Sequence, residues 1–297
     1  MQKLFTSSQI RAWDAFTITH EPISSLALME RASIALVNWF ISNYTTQHSV
    51  YIFCGPGNNG GDGFAICRIL QQKGYQVHPF LINPNNTLTA DCAINLKKVS
   101  HVIQIDNIDI LKPFNFKDSD IIIDAVFGSG LSRPLDGIYK DVISYLNLQK
   151  SIKVAVDTPS GMYCDTTNIP EDIIFKNAII ISFQTPKRAF YFNENKTKIA
   201  SVVIVDIGLS DTYCNDTLTD WFSADHLSEI PEFKLTNTFS FSPTTFQEHF
   251  GQAFDSTNGI SLLKTFARER QQIVLLNSDQ TYVAIANEKV YLLFDKN

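Results

Sequence analysis

The chain has 297 residues, a formal charge of −6, and 44% apolar residues. That length allows one large domain or two modest ones, and the apolar content excludes a disordered chain. A net acidic protein is a poor match for a nucleic-acid backbone, which needs a basic face; an anionic small molecule stays compatible if backbone N–H groups and a bound cation supply the attraction.

The opening, MQKLFTSSQIRAWD, meets Arg11 and Asp14 too early for a secretory leader, and no stretch reaches membrane-spanning length without a charge or a breaker. Cys54, Cys67, Cys92, Cys164 and Cys214 form no CxxC pair. They read as reduced structural thiols, so the expectation is a cytoplasmic protein with no membrane partner. Ser7 or Ser8 is placed to cap a short helix through Ile18. Ser24 or Ser25 is placed to cap a longer one through Tyr44. In that second helix Leu28, Met29, Ala32, Leu36, Trp39 and Phe40 recur at helical spacing, a stripe that serves core packing or a homodimer surface.

From residue 49 the rhythm changes. Apolar runs at 49–54, 77–82, 101–105, 119–124, 152–157, 178–183 and 201–206 alternate with helical stretches such as 62–73, 88–99 and 136–149. Nearly continuous apolar runs are the pattern of parallel strands buried on both faces. The expected fold class is therefore α/β: a Rossmann-like doubly wound, mostly parallel sheet with helices on both faces. After about residue 209 the rhythm fails. Residues 210–240 carry few signals; helices are expected near 244–250 and 258–270, and an antiparallel meander near 272–276, 281–286 and 289–294, turning at Asn277-Ser278-Asp279. The expected division is residues 1–209 and a small α+β appendage over 210–297.

In a doubly wound sheet, ligands bind at the carboxyl ends of the strands. Three loops there carry chemistry. Gly55-Pro56-Gly57-Asn58-Asn59-Gly60-Gly61-Asp62-Gly63 lets the backbone approach an anion ahead of a helix N-terminus. It lacks the Lys-Ser/Thr of a P-loop, and Asn83 stands where a dinucleotide fold carries its ribose-binding acid. The second loop runs from Asp124 through Gly128-Ser129-Gly130-Leu131-Ser132-Arg133-Pro134, its glycines and arginine suited to phosphate. The third is Asp157-Thr158-Pro159-Ser160-Gly161-Met162, where Asp157 reads as a general base, a cation ligand or the start of an Asx turn. Lys187, just past the strand at 178–183, is either a further site residue or a solvated lysine. Oxygen ligands such as Asn59, Asp124 and Ser160 suit a hard cation, while the six histidines lie outside these loops, which excludes a Ser-His-Asp hydrolase and a zinc site.

Ser8-Gln9-Ile10-Arg11 with Asp14, then Leu28-Met29-Glu30-Arg31-Ala32, GPGNNGGDG, DAVFGSGLSRPL and VDTPSGM, in that order, resemble the NAD(P)H-hydrate epimerase family (the YjeF N-terminal domain) over roughly residues 3–209. Thr158 and Met162 stand where the family often has isoleucine and leucine. The resemblance implies repair of nicotinamide dinucleotides that have gained water across the reduced ring, by interconversion of the two epimers at the hydroxyl-bearing carbon. It implies that Asn58, Asn59, Gly60, Gly61 and Asp62, together with residues 128–134 and Asp157, bind the substrate. It further implies that Asn59, Asp124 and Ser160 hold a potassium ion, that Asp157 moves the proton with Lys187 as the second group, and that a separate dehydratase completes the repair. The end of the chain faintly resembles pieces of the ribokinase-like dehydratase domain. It lacks a GTGD segment, and Asn277 and Ser278 replace a lysine and a glycine, so dehydratase activity is not expected. Two other readings stand beside this one: a non-catalytic nucleotide-binding or interaction module that keeps the pocket, and an ordinary NAD-dependent oxidoreductase, which lacks its ribose acid.

Overall fold

The computed structural model describes residues 1–230, 238–278 and 280–293. A short strand β1 (Gln2–Lys3) leads into α1 (Ser7–His20), which starts at a Thr6/Gln9 capping box. Helix α2 (Ser25–Asn43) is capped by the Ser24 hydroxyl. There follow β2 (Ser49–Cys54), α3 (Asn58–Gln72), β3 (Gln76–Leu81), α4 (Ala90–Leu96), β4 (Ile103–Gln104), β5 (Ile121–Ala125), α5 (Gly137–Asn147), β6 (Ile152–Val156), β7 (Ala178–Phe183), α6 (Asn193–Lys196) and β8 (Ile199–Val205). The remainder forms α7 (Asp211–Asp216), β9 (Trp221–Ala224), β10 (Thr238–Phe241), α8 (Pro243–Phe250), α9 (Asn258–Arg270), β11 (Ile273–Asn277), β12 (Thr281–Ala284) and β13 (Val290–Leu293).

Strands β2 to β8 make one seven-stranded sheet in the order β4-β3-β2-β5-β6-β7-β8, every pair parallel. The chain winds outward from β2 in one direction and from β5 in the other, so the expected doubly wound fold is present and its switch point lies between these two strands. Apolar side chains of α2, α3 and α4 cover one face of the sheet. The stripe on α2 is spent there and against α1: Leu28, Met29, Ala32, Leu36 and Phe40 are all buried within the chain, leaving Ile34 and Ile41 as the large apolar side chains exposed on it.

The opposite face is closed by α5 and by the C-terminal segment. That segment carries a second, six-stranded mixed sheet, β1-β9-β13-β12-β11-β10. The expected meander is its antiparallel β11-β12-β13 core. Asp279 of the expected turn, and Phe294 of the last expected run, lie outside the described residues. Strands β1, β9 and β10 were not expected. They are two to four residues long, and they exist because long-range partners pair them: β1 with β9, β9 with β13, and β10 with β11. Phe241, Phe246, Leu263, Val274, Leu276 and Tyr282 share one core with Phe53, Phe80, Ile180, Phe190 and Phe192 of the first 209 residues. Polar ties reinforce it. The Arg188 guanidinium lies 4.7 Å over the Trp221 ring, Ser256 donates to Glu194 at 2.7 Å, and the Asn193 N–H donates to the Tyr282 hydroxyl at 3.1 Å.

Among the described residues, no helix is long and apolar enough to cross a membrane. The five cysteines are free thiols, and burial pushes Cys92 and Cys164 up to about 12, which leaves them inert as nucleophiles.

Candidate active site

Four loops meet at the carboxyl ends of β2, β5, β6 and β7. The glycine-rich segment after β2 is less of a loop than its composition suggests. Gly57 is the N-cap, and Asn58, Asn59, Gly60, Gly61 and Asp62 already belong to α3, four residues ahead of the expected start. Two glycines there are fixed by contact, not by flexibility. A Cβ on Gly60 would fall 1.8 Å from the Gly55 carbonyl oxygen, and one on Gly55 would fall 2.1 Å from that of Val126. Both obstacles are backbone. Gly60→Ala is therefore expected to destabilise the protein by about 3 kcal/mol or more, above the usual range for overpacking; a denaturant midpoint unchanged from the wild type would show that the turn yields.

Asp124 lies inside β5, fully buried, and is held by three donors. Ser160 Oγ donates to Oδ1 at 2.6 Å, the Ser160 N–H to Oδ2 at 2.7 Å, and the Val126 N–H to Oδ1 at 3.1 Å. Ser160 Oγ in turn accepts from the Phe127 N–H at 2.8 Å. Burial outweighs these bonds and pushes the Asp124 carboxyl up to about 6. Gly128, which follows Phe127, stands against the Asn59 side chain, whose Nδ2 is buried with no partner among the described residues. Turning that amide over would aim its oxygen at the same spot. A buried carboxylate, a buried hydroxyl and, with the Asn59 amide turned over, an amide oxygen form an all-oxygen set that fits a monovalent or other hard cation. Asp124 and Ser160 thus lie bonded to each other beneath the cavities, while Asn59, against Gly128, lines the larger one.

Asp157 sits one residue beyond β6 with φ of 61°, in the left-handed region. Gln184, one residue beyond β7, has φ of 60°. In each case the next N–H bonds back to the carbonyl of the preceding residue: Thr158 to Val156 and Thr185 to Phe183, both at 2.7 Å. Two adjacent strands therefore end in strained γ-turns, each costing roughly 1–3 kcal/mol, and the strain turns Asp157 out of the sheet plane into the crevice. Asp157 Oδ1 pairs with Lys187 Nζ at 2.7 Å and accepts from the Phe183 N–H at 3.1 Å. Lys187 is 1% exposed and has three further oxygen neighbours: Ser182 Oγ at 3.0 Å, Thr185 O at 3.1 Å and Phe183 O at 3.3 Å. It is not a solvated surface lysine.

Two cavities share this floor. The larger, about 520 Å³, is walled by Asn58, Asn59, the 128–133 turn and the exposed Arg11 and Arg133, under the N-terminus of α3. The smaller, about 160 Å³, is walled by Ile10, Ile18, Leu28, Met29, Ile207 and Leu209, with Lys187 on its polar side. Asp14, Asn58, Asp62, Ser129, Asp157 and Phe183 line both. Of the residues expected from sequence, Gly60 and Gly61 are buried packing positions and Pro134 is exposed outside both cavities. Asp14, Arg11 and the apolar wall of the small cavity were missed as site residues. Asp14 stood only in the opening motif, and nothing local to α1 says that the helix, packed on α2 and α7, shares a cavity with the residues at the ends of β6 and β7. Burial, then Asp157, Asp14 and Asp91, push the Asp62 carboxyl well above the usual carboxylate range.

The family model described as "YjeF-related protein N-terminus" matches residues 25–189. The NAD(P)H-hydrate epimerase of Limosilactobacillus fermentum is 34% identical over 206 residues, which cover 69% of this chain and 97% of that protein. The bifunctional NAD(P)H-hydrate repair enzyme Nnr of Coxiella burnetii is 27% identical over 223 residues, covering 74% of this chain and 44% of that one. The crystal structure of yeast ynu0 superposes with a TM-score of 0.55 at 22% identity, over 67% of this chain and 88% of the yeast chain, and shares the fold. On the family match and on this identity across nearly the whole of a relative, the chain belongs to the YjeF-related N-terminal family.

Proposed function

We propose that the protein is an isomerase that interconverts the two epimers of hydrated NADH or NADPH. The observation that carries this reading is the pair of cavities sharing one acidic floor. A space of about 160 Å³ with one apolar wall matches the ~150 Å³ that encloses a single six-membered ring. The larger space has a helix N-terminus and two arginines suited to the phosphates. A dinucleotide laid across both puts the hydrated ring carbon beside Asp157. The resemblance to NAD(P)H-hydrate epimerases supports the same substrate.

Epimerisation inverts one carbon without net change in composition, so a proton must leave one site on the substrate and another must be delivered, and both transfers must then reverse. Asp157 is the proposed base. Lys187 is assigned a positioning role: its ammonium has four oxygen neighbours for three protons, and it holds Asp157 Oδ1 in place while leaving Oδ2 for the substrate. Residues 128–133 and the first turn of α3 orient the phosphates. Asn59, Asp124 and Ser160 are the proposed ligands of a potassium ion, which when bound supplies positive charge under the phosphates.

A dehydratase acting on one epimer is the proposed functional partner, a reading supported by the fused repair enzyme of C. burnetii. This chain itself is assigned no dehydratase activity, since its C-terminal segment lacks the GTGD sequence. Thermal stabilisation tests the site. Purified NADPH-hydrate is expected to raise Tm by several degrees, more in potassium than in lithium, with NAD giving little. Equal stabilisation by NAD would instead support a general dinucleotide-binding module.

A further inference from the structure

Helix α1 contributes a carboxylate that the reaction, as proposed above, leaves unused. Ile10, Asp14 and Ile18 lie four residues apart on one face of α1, and all three line the small cavity, so Asp14 is flanked by apolar side chains that hold the ring space closed. Asp14 also lines the large cavity, and it interacts electrostatically with both Asp157 and Lys187. Among the described residues its carboxylate takes no hydrogen bond, which is unusual for a half-buried acid and leaves it available to a ligand. The other charged groups around the small cavity are Asp62 on α3, Asp91 on α4, and Asp157 and Lys187 at the strand ends; Arg11 lines the adjoining space. Asp14 and Asp157 therefore reach the same volume from two different elements, one helical and one at the end of the sheet.

We propose that Asp14 is the second proton-transfer group of the epimerase, a catalytic acid that works against Asp157 across the ring. This rests on the epimerase reading. Asp157 takes the proton of the ring-carbon hydroxyl, and the O–H electron pair becomes the second bond of a carbonyl. The carbon–nitrogen bond of the ring breaks, its pair goes to nitrogen, and Asp14 gives its proton to that nitrogen. Rotation about the freed carbon and re-attack by nitrogen on the opposite face form the bond again, return one proton to Asp14 and the other to the oxygen, and leave nothing gained or lost.

The ionisation of the site agrees with that geometry. Burial, with Asp157 adding to it and Lys187 opposing, pushes Asp14 up to about 7, where a carboxyl both holds and releases a proton at neutral pH. A raised carboxyl also makes the folded state bind more protons than the unfolded chain between the ordinary value and about 7, so stability falls as pH rises through that window.

The test is Asp14→Asn beside the wild type, with kcat, KM and Tm measured from pH 5 to 9. The expected result is a kcat lower by roughly 10²–10⁴-fold with KM within about threefold, and loss of the alkaline limb near pH 7. The same variant should have a higher Tm than the wild type at pH 8, with the gain shrinking toward pH 5, because a destabilised carboxylate has been removed. A folded Asp14→Asn with wild-type kcat overturns the inference. So does a variant with both kcat and Tm reduced at pH 8, which marks a structural residue. If the variant fails to fold, the wild-type profile decides, and a profile with no alkaline limb near pH 7 overturns the inference. An inactive wild type would overturn the epimerase reading itself, whereas an active wild type with an unaffected variant overturns only the role of Asp14.

Discussion

Changing Asp157 to Asn and Lys187 to Met together is expected to restore part of the stability that Asp157→Asn alone removes, without restoring activity. Asn tolerates the left-handed backbone at position 157 as well as Asp does, so the single Asp157→Asn change leaves the γ-turn intact. What it removes is the counter-charge of an enclosed lysine. Breaking a buried pair by deleting one partner costs about 3–5 kcal/mol, whereas replacing the whole pair by apolar groups of similar volume is close to neutral. The double variant removes the stranded charge but leaves Ser182 Oγ and the Thr185 and Phe183 carbonyls without the lysine donor, so it should unfold above Asp157→Asn alone and below the wild type. Epimerisation should be lower by roughly 10²–10⁴-fold in both, since neither has the base. Equal midpoints for the two variants would show that the 2.7 Å pair contributes no coupling. A double variant that regains activity would remove Asp157 from the chemistry.

The second large effect concerns the C-terminal segment. A chain ending at residue 209 should lose cooperative unfolding and bind hydrophobic dyes. It uncovers Ile180, Phe190 and Phe192, which share a core with Phe241, Phe246, Leu263 and Leu276. Exposing each large apolar side chain costs roughly 1.5–3 kcal/mol, so these three alone reach about 5 kcal/mol or more, a large part of the ~5–15 kcal/mol that holds a typical domain folded. The truncation also strips Trp221 from Arg188, Ser256 from Glu194 and Tyr282 from Asn193, all within seven residues of Lys187. In L. fermentum the matched 206 residues take in nearly the whole epimerase, whereas they cover 69% of this chain. A truncated chain with a sharp, near-wild-type transition would mean that the second sheet adds little to the first.

Much of the fold is legible in the sequence because parallel strands covered on both faces write themselves as apolar runs. The runs at 178–183 and 49–54 match β7 and β2 at both ends. The glycine-rich block misleads by four residues, because glycine argues against helix while the contacts of Gly60 with Gly55 require a residue without a Cβ in the first turn of α3. The site is legible where a residue follows its own strand closely, as Asp157 does directly after β6 and Lys187 does four residues after β7. Asp14 is not, since its meaning depends on where α1 packs, and no local pattern encodes that. Strands β1 and β9 are illegible for a related reason: residues 2–3 and 221–224 pair with each other from opposite ends of the chain.

The most direct measurement is equilibration of a purified single epimer of NADPH-hydrate, followed by chromatography, with wild-type protein in potassium and in lithium. The proposed function requires interconversion far above the spontaneous rate, faster in potassium and lost in Asp157→Asn. Well-folded wild-type protein that leaves the epimer at its spontaneous rate in either salt would contradict it.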